Sequence, residues 1–141
     1  MLARRRPTPG NGLLIVLWRL RSPAPGQRTL ASPVFADPLR RNVVRELDGS
    51  YERGTLRLLP WRYQVDDRAP SGRGTPGALA AARVPAGAVF LGWARFPVFH
   101  SVTTAGGLDV TISDARYEGR GTRSWASVTV RLPVDRNKEG R

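Results

Sequence analysis

The sequence predicts an α+β, mainly β fold: a small antiparallel sheet of five or six strands with one short helix. Three observations predict it. Glycine supplies 15 and proline 12 of the 141 residues, a turn-rich composition. Short runs alternate apolar and polar side chains, most strictly from Leu108 to Ser113, where Leu108, Val110 and Ile112 share one face. Finally, Asp48-Gly49-Ser50 joins two such runs, and Asp-Gly in that position is a hairpin turn signal. The length suits one domain with a core of its own.

In chain order, residues 1–28 read as a basic and apolar N-terminal segment and linker, 29–134 as the β-rich domain, and 135–141 as a disordered tail. Arg4-Arg5-Arg6 precedes an apolar run from Leu13 to Trp18. The run is shorter than the roughly 20 apolar residues that a bilayer crossing needs. Arg19 and Arg21 then intrude where a signal-peptide cleavage site would lie. A stub of a membrane helix, an interfacial anchor and a buried strand all remain open for it.

Residues 30–35 are expected to be extended and, with Pro33 among them, at a sheet edge. Asp37-Pro38 is expected to turn. Residues 42–47 and 51–59 form the hairpin arms, with Leu56 and Leu58 on one face of the second arm. Residues 61–65 continue it beyond Pro60, and 66–77 read as a flexible polar loop. Residues 78–83 favour helix, and 86–95 form the short helix, stopped by Pro97. Strands follow at 98–103, 108–113 (extending toward Tyr117) and 125–132, where Ala126, Val128, Val130 and Leu132 share a face.

The chain has no cysteine, which excludes disulfides, thiolate nucleophiles, zinc–thiolate sites and iron–sulfur clusters within it. Its formal net charge is +12, and every basic residue except Lys138 is arginine. Arginine forks suit phosphate and carboxylate, so nucleic acid and anionic lipid surfaces are plausible partners. A coding bias toward Arg, Ala, Gly and Pro accounts for the same composition without any function.

No complete catalytic or metal-binding constellation is legible. His100 is the sole histidine and lacks companions at ligand spacing. Asp66-Asp67 is the one adjacent carboxylate pair, and a solvated loop explains it. A Ser101, His100 and Asp114 triad exists only on paper, with no Gly-x-Ser-x-Gly elbow to support it. Gly72-Arg73-Gly74-Thr75 and Gly119-Arg120-Gly121-Thr122-Arg123 lack the ending of a phosphate loop. Aromatic and arginine residues interleave at Trp61-Arg62-Tyr63, Trp93 to Phe96, Arg116-Tyr117 and Arg123 to Trp125, as single-strand binders do, but such rings more often belong to a core. Arg95, at the helix end, is expected to pair with Asp114 and pin helix to sheet.

The stretch from Phe90 to Val98, with Trp93, Arg95, Phe96 and Pro97, followed after a strand by Asp114-Ala115-Arg116-Tyr117, resembles the C-terminal soluble domain of the bacterial membrane-bound metal-dependent hydrolases. Ala31-Ser32-Pro33, Asp37-Pro38-Leu39 and the hairpin 43–59 resemble the opening of that domain, so the likeness spans about residues 29–132. The resemblance implies that histidines, acidic residues and a divalent metal belong to an N-terminal membrane region outside these residues. It implies no catalytic or metal residue and no cofactor here. Trp93, Arg95, Phe96, Pro97, Asp114, Arg116 and Tyr117 then form a structural motif. The expected role is a non-catalytic extramembrane domain, associated with the inner membrane, of a truncated or split homologue. Its partners would be a membrane-embedded hydrolase region or an anionic membrane surface. The alternative is a stand-alone basic β-domain, cytoplasmic, that binds nucleic acid or anionic lipid.

Overall fold

A computed structural model describes residues 27–118 and 125–133. The Leu13 to Trp18 run, the loop from Gly119 to Arg123 and the tail 135–141 lie outside the described residues. The fold is mainly β, but the strand count and the single sheet are corrected. Among the described residues there are seven strands in two antiparallel sheets, of four and three strands, and two short helices in place of one. The chain divides into two units. Of the described residues, the first comprises those up to Asp48 and Glu52–Arg68, the second Gly49–Tyr51 and those from Ala69 onward.

The first unit is built from β1 (Thr29–Val34), β2 (Asp37–Leu47) and most of β3 (Ser50–Leu58) and β4 (Trp61–Pro70), ordered β1-β2-β3-β4. β1 and β2 pair antiparallel from Thr29↔Arg45 to Pro33↔Arg41, and the register shifts after Pro33. Proline has no N–H to give the ladder, which suits the predicted edge position. The turn falls at Phe35-Ala36, one pair earlier than Asp37-Pro38, with Ala36 at a φ of 61°. Val43, Val44 and Leu56 are buried. The first part of the loop expected at 66–77 is strand, up to Pro70, because Asp66 and Asp67 find partners on β3: the Thr55 hydroxyl donates to Asp66 over 2.7 Å, and Arg53 pairs with Asp67. Those contacts offset the poor strand propensity of aspartate.

The second unit holds α1 (Pro76–Arg83), α2 (Pro85–Trp93), β5 (Pro97–Thr104), β6 (Gly107–Asp114) and β7 (Ser127–Leu132), with sheet order β5-β6-β7. β6 is central. Phe99↔Ile112 and Ile112↔Val128 fix its registers on either side. Thr75 caps α1 by accepting from the Ala78 N–H, and proline opens each helix, where its missing N–H costs nothing. This cap turns the helix-favouring stretch 78–83 into a helix in its own right. The helices pack on the sheet through Ala78, Ala81, Phe99, Val110, Ile112 and Val130. Gly87 permits their close approach, because a Cβ there would run into the Ala81 carbonyl. Val130 is buried, and Val128 and Leu132 pack against this core, as the alternation predicts.

Candidate functional site

Asp114 ends β6 and its side chain is wholly buried. The chain turns immediately: Tyr117 N–H donates to the Asp114 carbonyl over 2.9 Å, and Arg116 N–H donates to its side-chain oxygen over 3.0 Å. Aspartate bonded to the backbone two residues on is a turn-forming device. The turn brings the Arg116 fork back onto the same carboxylate, Nε to Oδ1 at 2.9 Å and Nη2 to Oδ2 at 2.8 Å. Arg95 N–H adds a bond of 2.8 Å. Burial pushes the Asp114 carboxyl up, but the Arg116 fork and the Arg116 and Arg95 backbone N–H groups outweigh it and hold the group below its ordinary value. The same bonds hold Arg116 above its own ordinary value.

The expected Arg95–Asp114 ion pair is therefore corrected. The segment after α2 is tied to the end of β6, but by the Arg95 main-chain N–H, while the charge comes from Arg116. A guanidinium two residues away on a tight turn reaches the carboxylate without crossing the sheet. The Arg95 side chain is exposed.

Aromatic rings surround this clamp. The Arg116 guanidinium lies 5.4 Å from the Trp93 ring centroid and 4.8 Å from that of Tyr117, within cation–π range. Trp93 stacks on Tyr117 at 5.9 Å, Tyr117 meets Trp125 at 4.8 Å, and Phe90 meets Trp93 at 5.6 Å. Phe96 is buried edge-on against Tyr51, whose hydroxyl donates to the Pro97 carbonyl over 3.0 Å. So Trp93, Asp114, Arg116 and Tyr117 touch directly, Arg95 joins through its backbone, and Phe96 and Pro97 are held beside them by Tyr51. Sequence reasoning missed Tyr51 and, though it noted Trp125 in an aromatic–arginine run, left it out of the motif.

A second buried carboxylate went unnoticed in the sequence. Glu52 on β3 accepts from Arg68 Nε (2.9 Å) and Nη2 (2.6 Å), from the Tyr63 hydroxyl (2.9 Å) and from Arg45 (3.3 Å). Burial again pushes its carboxyl up, and the bonds from Arg68 and Tyr63 with the Arg45 charge bring it below its ordinary value. Burial and the bond to Glu52 push the Tyr63 hydroxyl well up. Gly54 makes room for this, since a Cβ there would stand 2.7 Å from the Tyr63 hydroxyl. The signal was positional: Glu52 alternates with Gly54 and Leu56 on the buried face.

The remaining candidates separate. Asp66 and Asp67 sit on a strand rather than a loop, so they point to opposite faces and cannot share a proton. His100 is exposed on β5 with Nε2 3.2 Å from Glu118, which also accepts from the Ser113 hydroxyl. A carboxylate therefore lies between hydroxyl and imidazole, the reverse of a nucleophilic triad, and Asp114 is engaged elsewhere. Gly72 to Thr75 forms the turn into α1. Among the described residues, no group of three or more His, Asp or Glu is placed to hold a metal, and no helix is long and apolar enough to cross a membrane. Chemically, a carboxylate forked to arginine and held low stays ionised at neutral pH and has no proton to give. The arrangement clamps chain segments together. The chain matches no family model, no curated protein and no solved structure.

Proposed function

We propose that this chain is a non-catalytic extramembrane domain of the kind found at the C-terminus of membrane-bound metal-dependent hydrolases, as a truncated or split homologue. In this reading it covers a membrane-embedded catalytic part or shapes access to it, and the divalent metal belongs to that part. One observation carries the reading. The residues of the resemblance, scattered from Trp93 to Tyr117, gather around a single buried carboxylate, as a fold-defining signature should. The test is to co-express the tagged full chain with its flanking reading frames and purify it from detergent-solubilised membranes. The expected result is a complex with a neighbour-encoded protein whose membrane helices carry histidines. Hydrolysis of chromogenic esters or phosphoesters by the chain alone, lost in His100→Ala, would overturn the reading.

A second reading is favoured by a feature of the first unit. Arg40, Arg57 and Arg62 line a hollow of about 270 Å³ together with Thr55, Pro60, Gln64 and one carboxylate, Asp66. Arginines gathered around one concavity suit phosphate, as in a basic β-domain that binds nucleic acid. That reading expects affinity for single-stranded DNA to fall steeply with salt, and to fall further in Arg57→Glu.

A further inference from the structure

We propose that the arginine-lined hollow of the first unit is a binding site for a phosphate dianion, free or as a terminal monoester. The inference rests on the second reading above for phosphate as the anion, and it names the form in which that phosphate binds.

The case starts from how the arginines of the first unit are used. Arg28 pairs with Glu46, Arg45 and Arg68 pair with Glu52, and Arg53 pairs with Asp67. Arg41 donates to the Pro38 and Arg40 carbonyls. Arg40, Arg57 and Arg62 are the other described arginines of this unit, and their side chains have no partner among the described residues. These three are the ones that line the hollow. They come from three successive strands of the sheet, β2, β3 and β4. Every lining residue belongs to the first unit. Like charges gathered across strands cost a sheet stability, and an anion lying between them removes that cost.

The rest of the lining selects the anion. Arginine forks meet phosphate oxygens two at a time. Three guanidiniums against one carboxylate, Asp66, leave two positive charges around the hollow. A phosphate monoester carries about −1.5 to −2 at neutral pH and matches them. A carboxylate or an internal phosphodiester brings a single charge. Thr55 already donates its hydroxyl to Asp66 over 2.7 Å, so Gln64 is the neutral donor beside the forks. Among the described residues no aromatic ring lines the hollow, whereas surfaces that hold a single strand stack its bases on rings. Its volume of about 270 Å³ is also below the roughly 300–1,000 Å³ of ordinary small-molecule sites. That space suits a phosphate and what adjoins it, not a run of nucleotides.

The test is isothermal titration calorimetry on the full chain at physiological salt. Inorganic phosphate, thymidine 5′-monophosphate and 5′-phosphorylated tetrathymidylate each supply a phosphate dianion, and the tightest of them names its source. Thymidine 3′,5′-cyclic monophosphate and 5′-hydroxyl tetrathymidylate lack the doubly charged group. The preferred dianion should bind roughly tenfold or more tightly than either. Arg57→Gln and Arg62→Gln, both at exposed positions, should each weaken that binding roughly tenfold. Arg83→Gln removes the same charge from an exposed position on α1 and should leave binding unchanged. Two outcomes overturn the inference outright: no dianion binds, or Arg83→Gln weakens binding as much as Arg57→Gln, which would make the charge of the whole molecule the cause. Equal binding of the two tetrathymidylates, lost in Arg57→Gln, would overturn it and leave the nucleic-acid reading in place. Binding of phosphate or of the mononucleotide, with none of 5′-hydroxyl tetrathymidylate, would support it and remove that reading.

Discussion

Among the described residues each unit buries one carboxylate, and the two solve the same electrostatic problem differently. Asp114 is met by one guanidinium and by main-chain N–H groups from Arg95 and Arg116. Glu52 is met by side chains alone, from Arg45, Tyr63 and Arg68. Main-chain donors cannot swing away when the carboxylate is lost. Arg68 can, for its side chain is 65% exposed, against 16% for Arg116. The comparison teaches that the cost of a buried charge depends on whether its partners have somewhere else to go.

The largest expected effect is therefore at Asp114. Asp114→Ala leaves Arg116 and the Arg95 N–H without their acceptor and should lower unfolding free energy by about 3–5 kcal/mol, measured by urea denaturation followed by near-ultraviolet circular dichroism. Glu52→Gln should lower it by roughly 1–3 kcal/mol, because Arg68 recovers water. If Glu52→Gln proves the costlier of the two, the distinction between fixed and movable partners fails.

Gly54→Ala sharpens the comparison from the other side. The added methyl would stand 2.6 Å from the Gln64 carbonyl oxygen and 2.7 Å from the Tyr63 hydroxyl that donates to Glu52. The expected loss is about 1–3 kcal/mol, as for other breaks of a buried bond. Combining it with Glu52→Gln should give less than the sum, since both remove the same contact. Additive losses would show that the clash with the Gln64 carbonyl, not the Tyr63–Glu52 bond, sets the cost.

Both carboxyls are held below their ordinary values. The stability they contribute is fully present above the unfolded-state values, about 3.9 for aspartate and 4.3 for glutamate. It is lost as pH falls through the lower folded-state values. The urea midpoint should therefore stay level from neutral pH to about 5 and drop below about 4. Asp114→Asn should flatten that drop, because it leaves one fewer carboxylate to protonate. A drop as steep as in the parent chain would mean that Asp114 does not carry the acid sensitivity.

Much of the fold was legible because its signals are local. The alternation at Leu108–Ile112, the Asp48-Gly49 turn and the end of the second helix ahead of Pro97 each act within a few residues, and each appears where expected. What was not legible depended on partners distant in sequence. The strand through Asp66 and Asp67 forms because Thr55 and Arg53 await them on β3. Splitting the strands between two sheets leaves no mark on any one strand. For the clamp, residues 93–97 and 114–117 were visible as a motif, but the identity of the cation was not. Spacing alone cannot tell Arg95 from Arg116 until the turn after β6 is built.

The smallest effect isolates burial from geometry. Arg131 forks Asp109 across β6 and β7, Nε to Oδ1 at 2.8 Å and Nη2 to Oδ2 at 3.0 Å, nearly the same geometry as Arg116 on Asp114. The Arg131 side chain is 71% exposed, so water replaces whatever the pair loses. Arg131→Ala should leave the urea midpoint unmoved within error, and salt should matter little in either chain. If instead it destabilises as strongly as Asp114→Ala, then fork geometry and not desolvation sets the strength of these pairs, and the contrast between fixed and movable partners loses its physical basis.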